Sequence, residues 1–133
     1  MIMTKNVEYK KYVDLFAGCG GLSLGLEISG FSLALAVEKS PMAAETFFHN
    51  FIDGNENNWQ DFLRKPLKKQ FESKLIVEEL KLLLDNSSLI RSLRDQDIDL
   101  VAGGPPCQGF SLAGLRNPQD QRNQLPYEFL EFV

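Results

Sequence analysis

Tyr12-Val13-Asp14-Leu15-Phe16-Ala17-Gly18-Cys19-Gly20-Gly21 is the stretch that decides the fold. Its apolar run from Tyr12 to Ala17 reads as a buried strand that leads directly into a glycine loop. Next, Leu22, Leu24, Leu26 and Ile28 fit a compact, mostly buried helix, closed by Gly30 as a carboxyl-terminal cap. Phe31 to Val37 forms a second apolar strand and delivers Glu38 at its carboxyl end. Ser40 and Pro41 then open a helix, the first by its capping hydroxyl and the second as a first-turn proline. Ala43, Ala44, Phe47, Phe48 and Phe51 ride on that helix. Strand, glycine loop, helix, strand, acid, helix is the opening of an α/β, doubly wound, Rossmann-like fold.

The loop has its own chemistry. Gly18 and Gly20 occupy the first two positions of the dinucleotide fingerprint G-x-G-x-x-G, but the third position is Ser23. Glu38 stands about twenty residues on, where an acid binds ribose hydroxyls. A cofactor with a ribose but no pyrophosphate suits this combination, and S-adenosyl-L-methionine is one. Its charged amino-acid end can lie along the loop while its ribose meets Glu38. A tight strand-to-helix turn without a ligand is the structural alternative.

A second loop follows the apolar run Ile98 to Ala102, which also reads as a buried strand of a parallel sheet. Gly103-Gly104-Pro105-Pro106-Cys107-Gln108-Gly109-Phe110-Ser111 sets one thiol on a turn braced by two prolines and opened by glycines. In open α/β sheets chemistry gather at the carboxyl ends of strands, so Cys107 is placed like a nucleophile. Without its flanks it would read as a buried structural thiol.

The middle is less regular. Residues 53–58 form a polar, turn-rich loop, and Trp59 to Phe71 suggests a short strand remnant followed by a helix. Ile76, Leu80, Leu83 and Leu84 recur at helical spacing between Glu72 and Leu84, and Asn86-Ser87 caps a further helix through Leu93. Residues 64–96 therefore read as a helical insertion or an enlarged crossover. Leu125 to Val133, with Pro126 in the first turn, reads as a helix that the chain leaves without closing polar or glycine residues. Unpaired terminal carbonyls at such a stop lead us to expect a truncated chain.

The 133 residues suffice for one domain with a real core, residues 1–133 forming part of one unit. Composition is that of an ordinary globular protein, with 44% hydrophobic and 24% charged residues. No apolar run is long enough to span a bilayer and the start has no signal-peptide core, so a cytoplasmic protein with no membrane partner is expected. Cys19 and Cys107 are then free thiols, and neither has metal-ligand spacing. A net charge of −4 argues against this segment gripping a nucleic acid alone. Arg64, Lys65, Lys68 and Lys69 cluster, but Asp61 and Glu72 flank them, as on a solvated helix face. His49, among phenylalanines, reads as packing or surface.

Taken together, Asp14 to Gly21 and Gly104 to Ser111, in that order with Glu38 between them, resemble the DNA (cytosine-5) methyltransferase family. The resemblance covers roughly residues 12–51 and 97–132 and implies an S-adenosylmethionine-dependent methyltransferase fold, incomplete at its carboxyl terminus. It implies that Asp14, Gly18, Gly20 and Gly21 shape the cofactor loop, Phe16 packs against adenine, Glu38 holds the ribose and Pro106 walls the methyl-donor pocket. Arg122-Asn123-Gln124-Leu125 resembles the family's R-x-x-L segment, whose leucine lines the cofactor site. Cys107 would be the nucleophile, and a loop with Gln108, Ser111 and Arg116 would close over a flipped cytosine.

The pattern also departs from the family. The acid after the third strand, which would meet the adenine amino group, has no obvious place, and Asp61 is its nominee. The family's Glu-Asn-Val segment, paired arginines, DNA-reading domain and final helix are absent from this sequence. Duplex DNA and the missing carboxyl-terminal half are the expected partners, and little activity is expected of this chain alone. An RNA cytosine methyltransferase and a non-catalytic cofactor-binding subunit are the rival readings. A dinucleotide-dependent oxidoreductase is disfavoured by Ser23 and leaves Cys107 without a purpose.

Overall fold

A computed structural model describes residues 8–106 and 118–133 of the chain. Four strands, β1 (Lys10–Leu15), β2 (Phe31–Val37), β3 (Leu75–Ile76) and β4 (Leu100–Gly103), form one sheet in the order β3-β2-β1-β4. Every adjacent pair is parallel. The order reverses at β1, so a crevice opens between the loops that follow β1 and β4, where doubly wound folds bind their ligands. β1 and β2 are buried almost continuously, as expected of strands covered on both faces.

The core lies on both faces of this sheet. Tyr12, Ala36 and Leu75 join Phe47, Phe48, Trp59 and Phe62 on one face. Val13, Leu15, Val37 and Ile76 join Leu80, Leu83, Leu89 and Leu93 on the other. The alternation is broken once, where the β1–β2 register jumps from Tyr12↔Leu33 to Val13↔Leu35. Ala34 and Leu35 consequently serve the same face.

Helix α1 (Gly21–Ile28) forms where expected, with Gly30 just beyond it at φ 93°, but it is not mostly buried. Leu22, Leu24 and Ile28 are 47%, 53% and 78% exposed. Apolar residues two apart are spread around a helix, whose faces repeat at three and four. Ser23 and Leu26, three apart, are the ones that turn inward.

Helix α2 (Pro41–Phe47) is capped as expected, the Ser40 hydroxyl accepting the Ala43 N–H at 3.5 Å. It ends earlier than its apolar residues suggest and passes into a π-turn, Phe48–Ile52. Beyond it, Trp59–Leu63 (α3) and Leu67–Glu72 (α4) are both helical, with no strand remnant between.

The third strand lies inside the segment expected to be a helical insertion. Lys74, at φ 67°, ends the turn after α4, and its carbonyl accepts the Ala36 N–H at 2.9 Å. Leu75-Ile76-Val77 is then buried against β2, and only Leu80–Leu84 (α5) of the expected helix is helical. Residues 64–96 thus contain β3 and the crossover that returns the chain to β4. The last part of that crossover is α6 (Ser87–Arg94), capped by Asn86, whose side chain accepts the Leu89 N–H at 3.1 Å.

Helix α7 (Leu125–Phe132), with Pro126 in its first turn, packs Phe129 and Phe132 against the second face. Gly103 makes this approach possible: a Cβ there would overlap the Leu15 carbonyl and lie 3.1 Å from the Phe129 ring. The basic residues after α3 are solvated, Arg64 lying 4.0 Å from Asp61 and Lys69 2.9 Å from Glu72. Among the described residues no helix is long and apolar enough to cross a membrane.

Candidate active site at the carboxyl ends of the strands

The chain leaves β1 through three left-handed residues, Phe16 at φ 60°, Gly18 at φ 57° and Gly20 at φ 100°. Two backbone bonds close this turn: Ala17 N–H to the Val37 carbonyl at 3.0 Å and Gly20 N–H to the Ala17 carbonyl at 3.1 Å. Glu38 braces it from the end of β2. Its Oε2 accepts the Gly18 N–H and its Oε1 accepts the Ser40 N–H, each at 2.7 Å. One carboxylate therefore ties the glycine loop to the start of α2, and each oxygen retains acceptor capacity for a ligand hydroxyl.

Asp14 does not border the opening. It is buried beneath the loop and accepts the Ser23 hydroxyl at 2.6 Å. Burial raises its carboxyl above the ordinary carboxylate range, the Ser23 bond opposes the shift, and the Glu38 charge adds to it. This accounts for serine at the third fingerprint position, where its hydroxyl docks α1 onto the strand. The Tyr12 hydroxyl donates to the Ser23 carbonyl at 3.4 Å, and its phenol is pushed up to about 12, chiefly by burial.

A cleft of about 840 Å³ lies over the carboxyl ends of all four strands. Phe16, Val37, Leu80, Pro106 and Leu125 supply apolar walls, and Gly104 borders it without a side chain. Its charged rim is mostly neutralised in pairs. Lys39 holds Glu79 at 2.9 Å, and Arg122 holds Asp120 through Nη2–Oδ2 at 2.5 Å and Nε–Oδ1 at 2.9 Å. The Arg122 bonds bring the Asp120 carboxyl down to about 2. Glu38, Glu78 and Glu128 remain without an ion-pair partner among the described residues. Burial raises the Glu128 carboxyl, whose Oε2 has no hydrogen-bond partner among the described residues. An acidic cleft with apolar walls suits a ribonucleoside carrying positive charge and would repel a pyrophosphate.

Of the residues expected from sequence, Phe16, Glu38, Pro106 and Leu125 meet in this cleft. Gly18 and Gly20 form the loop beside it, and Gly21 begins α1. Asp61 is elsewhere: it sits exposed on α3 and borders a separate cavity with Phe48 and Phe62. The first acid after the third strand is Glu78, two residues beyond Ile76, and it lines the cleft with Glu38, which directly follows β2. Its signal in the sequence was the apolar run Leu75-Ile76-Val77 ending in an acid. Cys107, Gln108, Ser111 and Arg116 lie outside the described residues; Gly104 and Pro106 lead towards them from β4. Cys19 is a free, exposed thiol. His49 lies half-buried, edge-on to Phe48, with Nε2 3.8 Å from Glu45, a packing position. Among the described residues no group of three metal-ligating side chains assembles.

A parallel sheet whose order reverses beside a glycine loop, with acids after successive strands, defines a doubly wound α/β domain, a class that takes its ligands at this switch point. Comparison with known proteins narrows this class. The chain belongs to the C-5 cytosine-specific DNA methylase family, whose sequence pattern matches residues 10–133. It is 39% identical over 121 residues to the type II methyltransferase M.DdeI of Desulfomicrobium norvegicum, covering 91% of this chain and 24% of that protein. It is 33% identical to the type II methyltransferase M.HgiGI of Herpetosiphon aurantiacus, covering 92% of this chain and 79% of that one. A solved structure assigned as a DNA modification methyltransferase encoded within an E. coli prophage superposes with a TM-score of 0.61 at 35% identity. That match covers 93% of this chain and 28% of the other. The chain thus spans about a quarter of the length of M.DdeI and of the solved structure.

Proposed function

We propose that this chain is the cofactor-binding and nucleophile-bearing part of a DNA cytosine-5 methyltransferase. The observation that carries the proposal is the cleft, in which Glu38 and Glu78, at the ends of adjacent strands, face apolar walls and have no ion-pair partner among the described residues. The donor set fits S-adenosylmethionine: Glu38 takes the ribose hydroxyls, Glu78 takes the adenine amino group, and Phe16 and Leu125 flank the base. Glu78 replaces Asp61 in this assignment. The cofactor supplies an electrophilic methyl group on a positively charged sulfur, and the surplus of acid suits that charge.

Cys107 is the attacking group. Its thiolate adds to C6 of cytosine, which makes C5 an enamine carbon able to accept a methyl group; loss of the C5 proton then expels the thiolate. A target base in a duplex must first be flipped out, at a cost of a few kcal/mol. Gln108, Ser111 and Arg116 follow Cys107 closely enough in sequence to contact the extruded nucleotide. The Glu-Asn-Val segment, whose acid would assist at cytosine N3, is not in this sequence. Among the described residues β4 pairs only with β1, so its outer edge is where a strand bearing that segment would add.

The test is covalent trapping. A duplex containing 5-fluorocytosine is incubated with S-adenosylmethionine and this chain, alone and with a polypeptide carrying the remainder of M.DdeI. An adduct on Cys107 is expected only in the completed enzyme and is lost in Cys107→Ser. Robust turnover by the isolated chain would overturn the dependence on a second part. Trapping by Cys107→Ser would overturn the nucleophile.

A further inference from the structure

The glycine loop rests on an aromatic pair from the end of α2 and the π-turn that follows it. A Cβ at Gly20 would overlap the Phe51 ring and lie 3.0 Å from Phe47 Cδ2. The two rings are packed together, their centroids 4.6 Å apart. Phe51 belongs to the π-turn, which the Asp53 N–H closes onto the Phe48 carbonyl at 2.9 Å. That turn is locked at its exit, because the Asp53 carboxylate accepts the Asn55 N–H at 2.9 Å and the Asn58 amide at 2.7 Å. Widened turns of this kind are uncommon and cluster at functional sites. Gly20 is also a junction: its N–H closes the loop onto Ala17, and its carbonyl accepts the Leu24 N–H at 2.9 Å to start α1.

We propose that Phe51, backed by Phe47, is a positioning residue for the glycine loop. Its ring occupies the space beneath Gly20 and thereby sets where Gly18 presents its amide to Glu38. The loop is built over the ring, and glycine is required at residue 20 for that contact as well as for its φ of 100°.

Amide hydrogen exchange on the 133-residue chain tests this without any cofactor. Phe51→Leu should speed exchange at Gly18 and Gly20 about tenfold relative to the wild type, while Leu35 in β2 keeps its protection. Phe51→Tyr, which keeps the ring edge, should restore both. Phe62→Leu is the control, a loss from the same aromatic core that does not touch Gly20. It should lower the melting temperature but leave the two amides unchanged. If Phe51→Leu cannot be folded, Phe51→Met is measured in its place. Equal loss of protection at Leu35 and Gly18, or the same loop exchange in Phe62→Leu, would overturn the proposal. A weaker S-adenosylmethionine affinity in Phe51→Leu, expected at about tenfold, rests additionally on the function proposed above. Its absence with the exchange effect intact would count against that function and not against the positioning role.

Discussion

Glu38→Gln separates the bracing role of this residue from its role towards a ligand. In the native chain the carboxylate accepts two backbone amides at 2.7 Å, one from Gly18 and one from Ser40. Glutamine keeps one acceptor oxygen and turns an NH₂ group towards the other amide, so one charge-assisted bond is replaced by two opposed donors. A bond to a charged group contributes about 1.5–3 kcal/mol, and the half-buried setting of Glu38 favours the lower end of that range. A loss of about 1.5 kcal/mol should lower the melting temperature by roughly 3–6 °C in a domain of this size. Trp59, the single tryptophan and 3% exposed, reports the transition in a urea titration monitored by fluorescence. The midpoint should fall with an unchanged slope. Glu38→Ala, which loses both bonds, should fall further than Glu38→Gln. A Glu38→Gln unfolding free energy within about 0.3 kcal/mol of the wild type would refute the bracing role.

Further predictions concern groups whose titration is displaced. The folded Asp14 carboxyl holds its proton more tightly than the unfolded one, so its contribution to stability decreases as pH rises above the unfolded carboxyl's 3.8. Asp14→Asn, which keeps an acceptor for Ser23, should remove that dependence and be at least as stable as the wild type at pH 7. Asp120 acts in the opposite sense. Its carboxyl is lowered to about 2, so the stability it contributes is present above 3.8 and is lost as pH falls towards 2. Arg122→Gln should flatten that limb of a melting-temperature profile. Tyr12, raised from 10.0 to about 12, predicts a loss of stability as pH rises from 10 to 12, which Tyr12→Phe should abolish. Gly103→Ala would force the Leu15 carbonyl and Phe129 apart and should cost about 1–3 kcal/mol in denaturant unfolding.

Elements with local signals were legible in the sequence. β2 coincides with its apolar run, and Ser40, Pro41 and Asn86 announced their helices because a cap is a short-range bond between neighbours. β3 was hidden because it is two residues long and because Ile76, Leu80, Leu83 and Leu84 imitate helical spacing. What makes it a strand is its partner: Ala36 N–H binds the Lys74 carbonyl, and Glu38 N–H binds the Ile76 carbonyl at 3.0 Å. The misplacement of Asp61 follows from that gap, since the acid after the third strand can be found only once the strand is. Asp14 was legible as a loop residue but not as a buried partner of Ser23, a contact nine positions apart that depends on how α1 lies on β1. The exposure of α1 could have been anticipated, because its leucines repeat every two residues rather than every three or four.

Calorimetric titration of the chain with S-adenosylmethionine, and in parallel with NAD, tests the cleft most directly. Binding of S-adenosylmethionine without binding of NAD is expected, with a weakening in Glu78→Gln and no change in Asp61→Asn. Equal binding of NAD, or a larger loss in Asp61→Asn than in Glu78→Gln, would contradict it.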